Sequence, residues 1–124
     1  MGESFKIREK ADLVIVNFVF HWVDRKNLMK FITKIDELLA PGGFIILGDF
    51  GLENFVKRKY HHLPKAGVFT YKQQYQNIFT ASGIYKEIAK ICFNHDTGEI
   101  SADIDNHNTG TISLLKKIEL YQEV

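Results

Sequence analysis

The chain has 124 residues, 45% of them hydrophobic, 25% charged and 13% aromatic, the make-up of one soluble globular domain able to bury a single core. Sixteen Lys and Arg against fifteen Asp and Glu leave a formal net charge of +1, which argues against a nucleic acid or an anionic membrane held by bulk charge. A lone cysteine, Cys92, excludes an internal disulfide framework and a cysteine-based zinc site and fits a reducing cytoplasm.

Met1–Lys10 is polar and mixed in charge, unlike a signal peptide. The most apolar stretch, Leu13–Val16 and Phe18–Phe20, is parted by Asn17 and falls far short of the ~18 residues of a membrane span. Ala11–Val16 is continuous rather than alternating, the pattern of an interior parallel strand covered on both faces. Asp24 is placed to cap a helix. Leu28, Phe31, Ile32, Ile35, Leu38 and Leu39 then form one apolar stripe, with Lys26, Lys30, Lys34 and Glu37 on the wet side. Pro41-Gly42-Gly43 stops this helix, and Phe44–Leu47 is a second strand apolar on both faces. Strand, helix and strand so closely spaced predict a right-handed βαβ unit over 11–51.

The second half is punctuated less clearly. A short helix is expected over Glu53–Tyr60, then a loop through His61, His62, Pro64 and Gly67. Thr70-Tyr71-Lys72-Gln73 has the form of a capping box for a helix carrying Tyr75, Ile78 and Phe79, ended by Ser82-Gly83. Tyr85–Asn94 and Thr111–Glu119 are expected strands. The polar loop between them, His95 to Gly110, is long enough to hide a short strand around Ile100–Ile104 or to be functional.

Ala11-Asp12-Leu13-Val14-Ile15-Val16-Asn17, Phe20-His21-Trp22-Val23-Asp24 and Leu38-Leu39-Ala40-Pro41-Gly42-Gly43-Phe44-Ile45-Ile46-Leu47 together resemble the class I S-adenosylmethionine-dependent methyltransferases. The likeness runs from that family's fourth strand, through a leucine-rich helix ending in Pro-Gly-Gly, to its fifth strand. The later helix and strands are similar to the family's last helix and closing strand pair. The resemblance implies an α/β fold, a truncated Rossmann-like domain whose mixed sheet has about four strands and flanking helices. Residues 1–124 then form a single partial domain: an N-terminal extension (1–10), the βαβ unit (11–51), and an acceptor-side segment with closing strands (52–124).

One departure qualifies the match. The family builds its cofactor site chiefly from a glycine-rich turn after the first strand and an acidic residue after the second. Ten residues precede the fourth-strand equivalent here, and no G-x-G motif occurs. The sequence therefore corresponds to about half a methyltransferase domain, and one edge of strand 11–17 is left without its family neighbour. An apolar edge invites pairing, so a homodimer or a complementing chain through that edge is expected; the duller alternative is that residues 1–10 fold back over it.

Ligands of open α/β sheets sit beyond the carboxyl ends of the strands. That rule selects the residues after each strand. By position in the family, His21 approaches the methyl group and acceptor, where an imidazole would take a proton from a hydroxyl or amine. Its bland alternative is a histidine packed beside Trp22 and bonded to backbone. Asn17 and Phe18 are the cofactor-side candidates, the latter by facing a sulfonium with its ring. Asp49 would hold a substrate amine or orient a base, unless it merely forms a turn. Tyr60, His61 and His62 lie where the family builds acceptor-specific insertions, and His107 with Asp103 and Asp105 would offer polar groups to substrate. His61, His62, His95 and His107 lack a recognised metal spacing, so no metal is expected. Cys92 is expected to be inert core, and Lys57-Arg58-Lys59 a solvated helix end.

These readings make the chain the C-terminal, acceptor-side part of an S-adenosylmethionine-dependent methyltransferase acting on a small molecule, incompetent alone for want of the glycine turn. The alternative is a non-catalytic protein-interaction module that kept the sheet and lost the cofactor half.

Overall fold

A computed structural model describes residues 9–60, 62, 65, 67–100 and 108–124. The first strand, β1 (Ala11–Asn17), leads through a 3₁₀ turn (Phe20–Trp22) into helix α1 (Arg25–Leu38) and strand β2 (Leu39–Phe50). A hairpin follows, β3 (Val56–Lys59) with β4 (Phe69–Lys72), then a short helix α2 (Gln76–Thr80) and the strands β5 (Tyr85–Asn94) and β6 (Thr109–Lys117). The main sheet has the order β1-β2-β6-β5. Strands β1 and β2 are parallel, β6 is antiparallel to both of its neighbours, and the hairpin forms a separate two-stranded sheet. This is the expected mixed sheet of four strands. Among the described residues no helix is long and apolar enough to cross a membrane.

The core lies on one face of this sheet. Leu28, Phe31, Ile32 and Ile35 of α1 pack over Val14, Val16, Ile45, Leu47 and Leu115, with Phe20, Tyr75, Phe79 and Tyr85 closing the cluster. Lys26, Lys30, Lys34 and Glu37 are exposed, so the amphipathic stripe is where its spacing puts it. The opposite face is different. Cross-strand partners share a face, so Ile15, Ile46, Leu114 and Ala89 form one row across all four strands. In that row and beside it, Leu13 is 48% exposed and Ile15 63%. The expectation that β1 is covered on both faces is therefore corrected: α1 covers one face only.

Several local expectations are also revised. Helix α1 ends before Pro41, because Leu39 is already extended and pairs with Ala11. The strand then bulges over Ala40–Gly43, where the register with β1 shifts and Gly42 takes φ +81, a conformation natural to glycine. Proline is tolerated at such a bulge. Carbonyls at the helix end are met by Lys117, whose Nζ donates to Asp36 O at 2.8 Å and Leu39 O at 3.0 Å. Asp24 does occupy the helix N-cap, but its side chain makes no capping bond there.

Glu53–Tyr60 is not helical. Val56–Lys59 pairs with Phe69–Lys72, which also removes the capping box: Thr70 and Lys72 are strand residues, and Thr70 Oγ1 donates across the hairpin to Arg58 O at 3.4 Å. Phe69 and Tyr71 alternate with Thr70 and Lys72, a two-residue period that marks β4 and gives Val56–Lys59 its partner. The helix signalled by Tyr75, Ile78 and Phe79 survives as α2, which ends at Thr80 and passes through a turn to Gly83, φ +81. Strand β5 has the expected bounds; β6 begins two residues early. Cys92 is half-buried rather than core, its Sγ 3.9 Å from Thr111 Oγ1. Of the suspected short strand, Ile100 makes a single bridge to Phe93; residues 101–107 lie outside the described residues.

Candidate functional site

Beyond the carboxyl ends of β1 and β2 the chain reverses sharply. Phe18 adopts φ 54, a left-handed conformation that costs a non-glycine residue about 1–2 kcal/mol, and its N–H donates to Gly48 O at 2.6 Å. This turn hands the chain to the 3₁₀ segment, which drops His21 onto the end of β2. His21 and Asp49 are 5% and 2% exposed. The imidazole Nδ1 lies 2.9 Å from Asp49 Oδ1. The same carboxylate accepts from the backbone N–H of His21 at 3.3 Å and of Phe50 at 2.8 Å.

This arrangement fixes which ring nitrogen does what. Both carboxylate oxygens of Asp49 already accept from backbone N–H groups, so the ring meets the carboxylate as an Nδ1–H donor. In the neutral imidazole Nε2 is then the nitrogen with the lone pair. A carboxylate behind an imidazole is the standard way to hold such a ring in one orientation and one tautomer. The two bland readings, a histidine packed against Trp22 and an aspartate in a turn, describe part of the truth. His21 does lie 5.0 Å from the Trp22 ring, but its polar partner is a carboxylate from another strand.

The His21 ring lines a cavity of about 400 Å³, a volume suited to a small molecule. Phe18 and Phe50 form one wall, their rings 5.2 Å apart at 85°, with His95 4.8 Å from the former and 4.9 Å from the latter. Trp22 and Tyr60 form another, 4.9 Å apart. Arg58, Lys59, Thr70 and Lys72 bring the hairpin to the rim, and Asp96 and Asn108 bring in the ends of the β5–β6 loop. That loop is pinned at its base, since His95 N–H donates to Asn108 O at 2.7 Å and Asn108 Nδ2 to Asp96 Oδ2 at 2.7 Å. Burial pushes the Lys72 ammonium below the usual lysine range; Arg58 pushes the same way, against Asp96 and Asp49.

The structure thus brings together Phe18, His21, Tyr60 and His62 at the cavity, with Asp49 behind His21. Asn17 does not line it; its Oδ1 occupies the space beside the Gly48 Cα, where an added Cβ would lie 2.3 Å away. His61 and His107 lie outside the described residues. Phe50, Arg58, Lys72 and His95 are cavity residues that the sequence does not single out as such. Only the hairpin register could have exposed Arg58 and Lys72, and it was hidden by the helical look of 53–60. Among the described residues, the glycines at the strand ends form no open cradle for a cofactor. The Cβ positions of Gly48 and Gly51 are filled by Asn17 and by Thr111, 1.9 Å away in the second case, so neither glycine leaves backbone open to a ligand.

Comparison with known proteins bears on the fold. A family model described as a methyltransferase domain matches residues 3–47. No curated protein matches the chain. Among solved structures, the N-methyltransferase NodS from Bradyrhizobium japonicum WM9 in complex with S-adenosyl-L-homocysteine is similar over 93% of this chain and 50% of its own, with 16% identity and a TM-score of 0.55. A second structure of the same enzyme is similar over 93% and 55%, with 18% identity and a TM-score of 0.52. The fold is that of a class I S-adenosylmethionine-dependent methyltransferase. The chain spans about half the length of the solved structures it matches.

Proposed function

We propose that the chain is the acceptor-side part of an S-adenosylmethionine-dependent methyltransferase acting on a small molecule in the cytoplasm. The observation that carries this is the His21–Asp49 pair at a small-molecule cavity beyond the carboxyl ends of parallel strands. In this reading Asp49 orients the ring, and Nε2 of His21 removes the proton from the acceptor's hydroxyl or amine, readying that atom as a nucleophile. The aromatic walls exclude water and hold the acceptor in one orientation, which is most of what methyl transfer asks of a protein.

The cofactor belongs to a complementing chain or a second copy, because the described residues offer it no glycine cradle. The exposed edge of β1 and its neighbouring apolar face, with Leu13 and Ile15, are where that partner joins. The same bare face also supports the alternative, a protein-interaction module that lost catalysis. Titration of S-adenosylhomocysteine by calorimetry, with light-scattering mass on the same sample, tests the reading. We expect no micromolar binding by the monomer and binding only in a species containing a second chain. Tight one-to-one binding by the monomer would contradict it, and an assembled species that binds no cofactor would favour the interaction module.

A further inference from the structure

We infer that Arg25 is the positioning residue of this site, a role that rests on reading His21 as the base serving the cavity. Its guanidinium holds the turn that carries His21 and ties that turn to the β3–β4 hairpin. Arg25 opens helix α1. The N-terminus of a helix carries partial positive charge, so a cation in the first turn works against the helix dipole. The side chain turns back from the helix, and Nη2 donates to Phe20 O at 3.1 Å and to Val23 O at 2.7 Å. Those two carbonyls bracket His21 and Trp22, and both of these residues line the cavity.

The other arm of the fork reaches the hairpin. Nη1 donates to Gln73 Oε1 at 3.1 Å, and the guanidinium carbon lies 4.3 Å from the centre of the Tyr71 ring, a cation–π contact. Tyr71 stands on β4 between Thr70 and Lys72, both of which line the cavity. One planar group therefore joins two cavity walls, the turn bearing His21 and Trp22 and the strand bearing Thr70 and Lys72. All three hydrogen-bond acceptors are neutral and are shared between two nitrogens, a task for a rigid fork of donors and not for a point charge. Phe20, wholly buried and stacked 5.0 Å from Tyr75, anchors the start of the turn; Arg25 holds its end at Val23. Without Arg25 the turn keeps its shape by Phe20 and by two 3₁₀ bonds, Trp22 N–H to Val19 O and Val23 N–H to Phe20 O, each 3.0 Å, whose geometry is poorer than that of an α-helix. The two contacts of His21 with Asp49 then loosen with the turn.

The test uses the ¹⁵N-labelled 124-residue chain and two readouts: the His21 ring by long-range ¹H–¹⁵N correlation, and the exchange of the His21 amide with solvent. Arg25→Gln is expected to speed that exchange at least about tenfold and to shift or broaden the Nδ1 signal, while amides in the centre of β2 and β6 keep their rates. Arg25→Lys keeps the charge and loses the fork, so it should not restore the protection. Gln73→Leu frees one arm of the fork and should move both readouts in the same direction by less; it decides the matter should Arg25→Gln fail to fold. An unchanged His21 amide and ring in these variants, or protection fully restored by Arg25→Lys, would overturn the positioning role and leave the site standing. Equal acceleration of the β2 and β6 amides would do the same, since it marks general loosening and not placement of His21. A wild-type ring without a proton on Nδ1 would overturn the reading of the site and this role with it.

Discussion

His21 and Asp49 stand 28 residues apart in the chain and 2.9 Å apart in the fold, both buried. Removing one partner leaves the other desolvated without its bond, which is the expensive way to break a buried pair. Asp49→Ala should therefore cost about 2–4 kcal/mol of stability, read as a lower urea midpoint, and Asp49→Asn clearly less. An Ala variant with an unchanged midpoint would mean the pair is not formed. Under the proposed function, His21→Gln should lower the methyl-transfer rate of the chain assembled with its complementing partner by about 10²–10⁴, read in a methyl-transfer assay.

A second, part-buried contact ties α1 to the closing strands. Burial by itself raises the Asp36 carboxyl, but the Tyr85 hydroxyl at 2.6 Å and Lys117 Nζ at 3.0 Å outweigh it and hold the group below the usual carboxylate range. The unfolded chain then takes up the proton first as pH falls. The stabilisation is present above about pH 4 and is lost as pH drops through the lowered folded value. Denaturation midpoints measured from pH 7 down to pH 2.5 should fall in that acid range. Asp36→Asn should flatten this acid limb and cost about 1 kcal/mol at neutral pH. An acid limb identical in the two proteins would contradict the assignment.

Gly110 lies opposite Phe93 in the β5–β6 ladder, and the Phe93 ring covers it: an added Cβ would fall 2.5 Å from the ring. Gly110→Ala must therefore displace an aromatic ring that also packs 6.2 Å from Phe18. The expected cost is about 1–3 kcal/mol, seen as a melting temperature several degrees lower, together with shifted resonances at Phe18. A neutral substitution would show that the ring does not sit over the strand.

The uncovered sheet face makes a prediction about association. Ile15 is 63% exposed, so Ile15→Lys should change monomer stability by no more than about 0.5 kcal/mol. It should nevertheless reduce self-association, or pairing with a complementing chain, because an edge lysine opposes strand addition. Light-scattering mass across a concentration series checks this. A mass profile unchanged by the substitution would remove β1 from the interface.

What could be read in advance follows the physics of each segment. The βαβ unit was legible because three signals agreed: two continuous apolar runs, a 3.6-residue stripe from Leu28 to Ile35, and a Pro-Gly-Gly punctuation. Its exact joint was not, since Leu39 fits the helical stripe and the strand equally well and only pairing with Ala11 decides between them. The hairpin was missed because Val56–Lys59 is short and mostly charged, and its strand character depends on Phe69–Lys72 rather than on its own composition. His21 and Asp49 were each recognisable as site candidates by their places after strands. Their contact depends on the left-handed turn at Phe18, which no local preference of phenylalanine would suggest.

The central claim is that Asp49 holds the His21 ring as an Nδ1–H donor and leaves Nε2 as the base that serves the cavity. Long-range ¹H–¹⁵N correlation of the His21 ring at a pH where it is neutral measures this directly. The predicted result is a protonated Nδ1 and an unprotonated Nε2, with the pattern altered in Asp49→Asn. A neutral ring carrying its proton on Nε2 would contradict the account, because no lone pair would then be available at the nitrogen assigned to the acceptor.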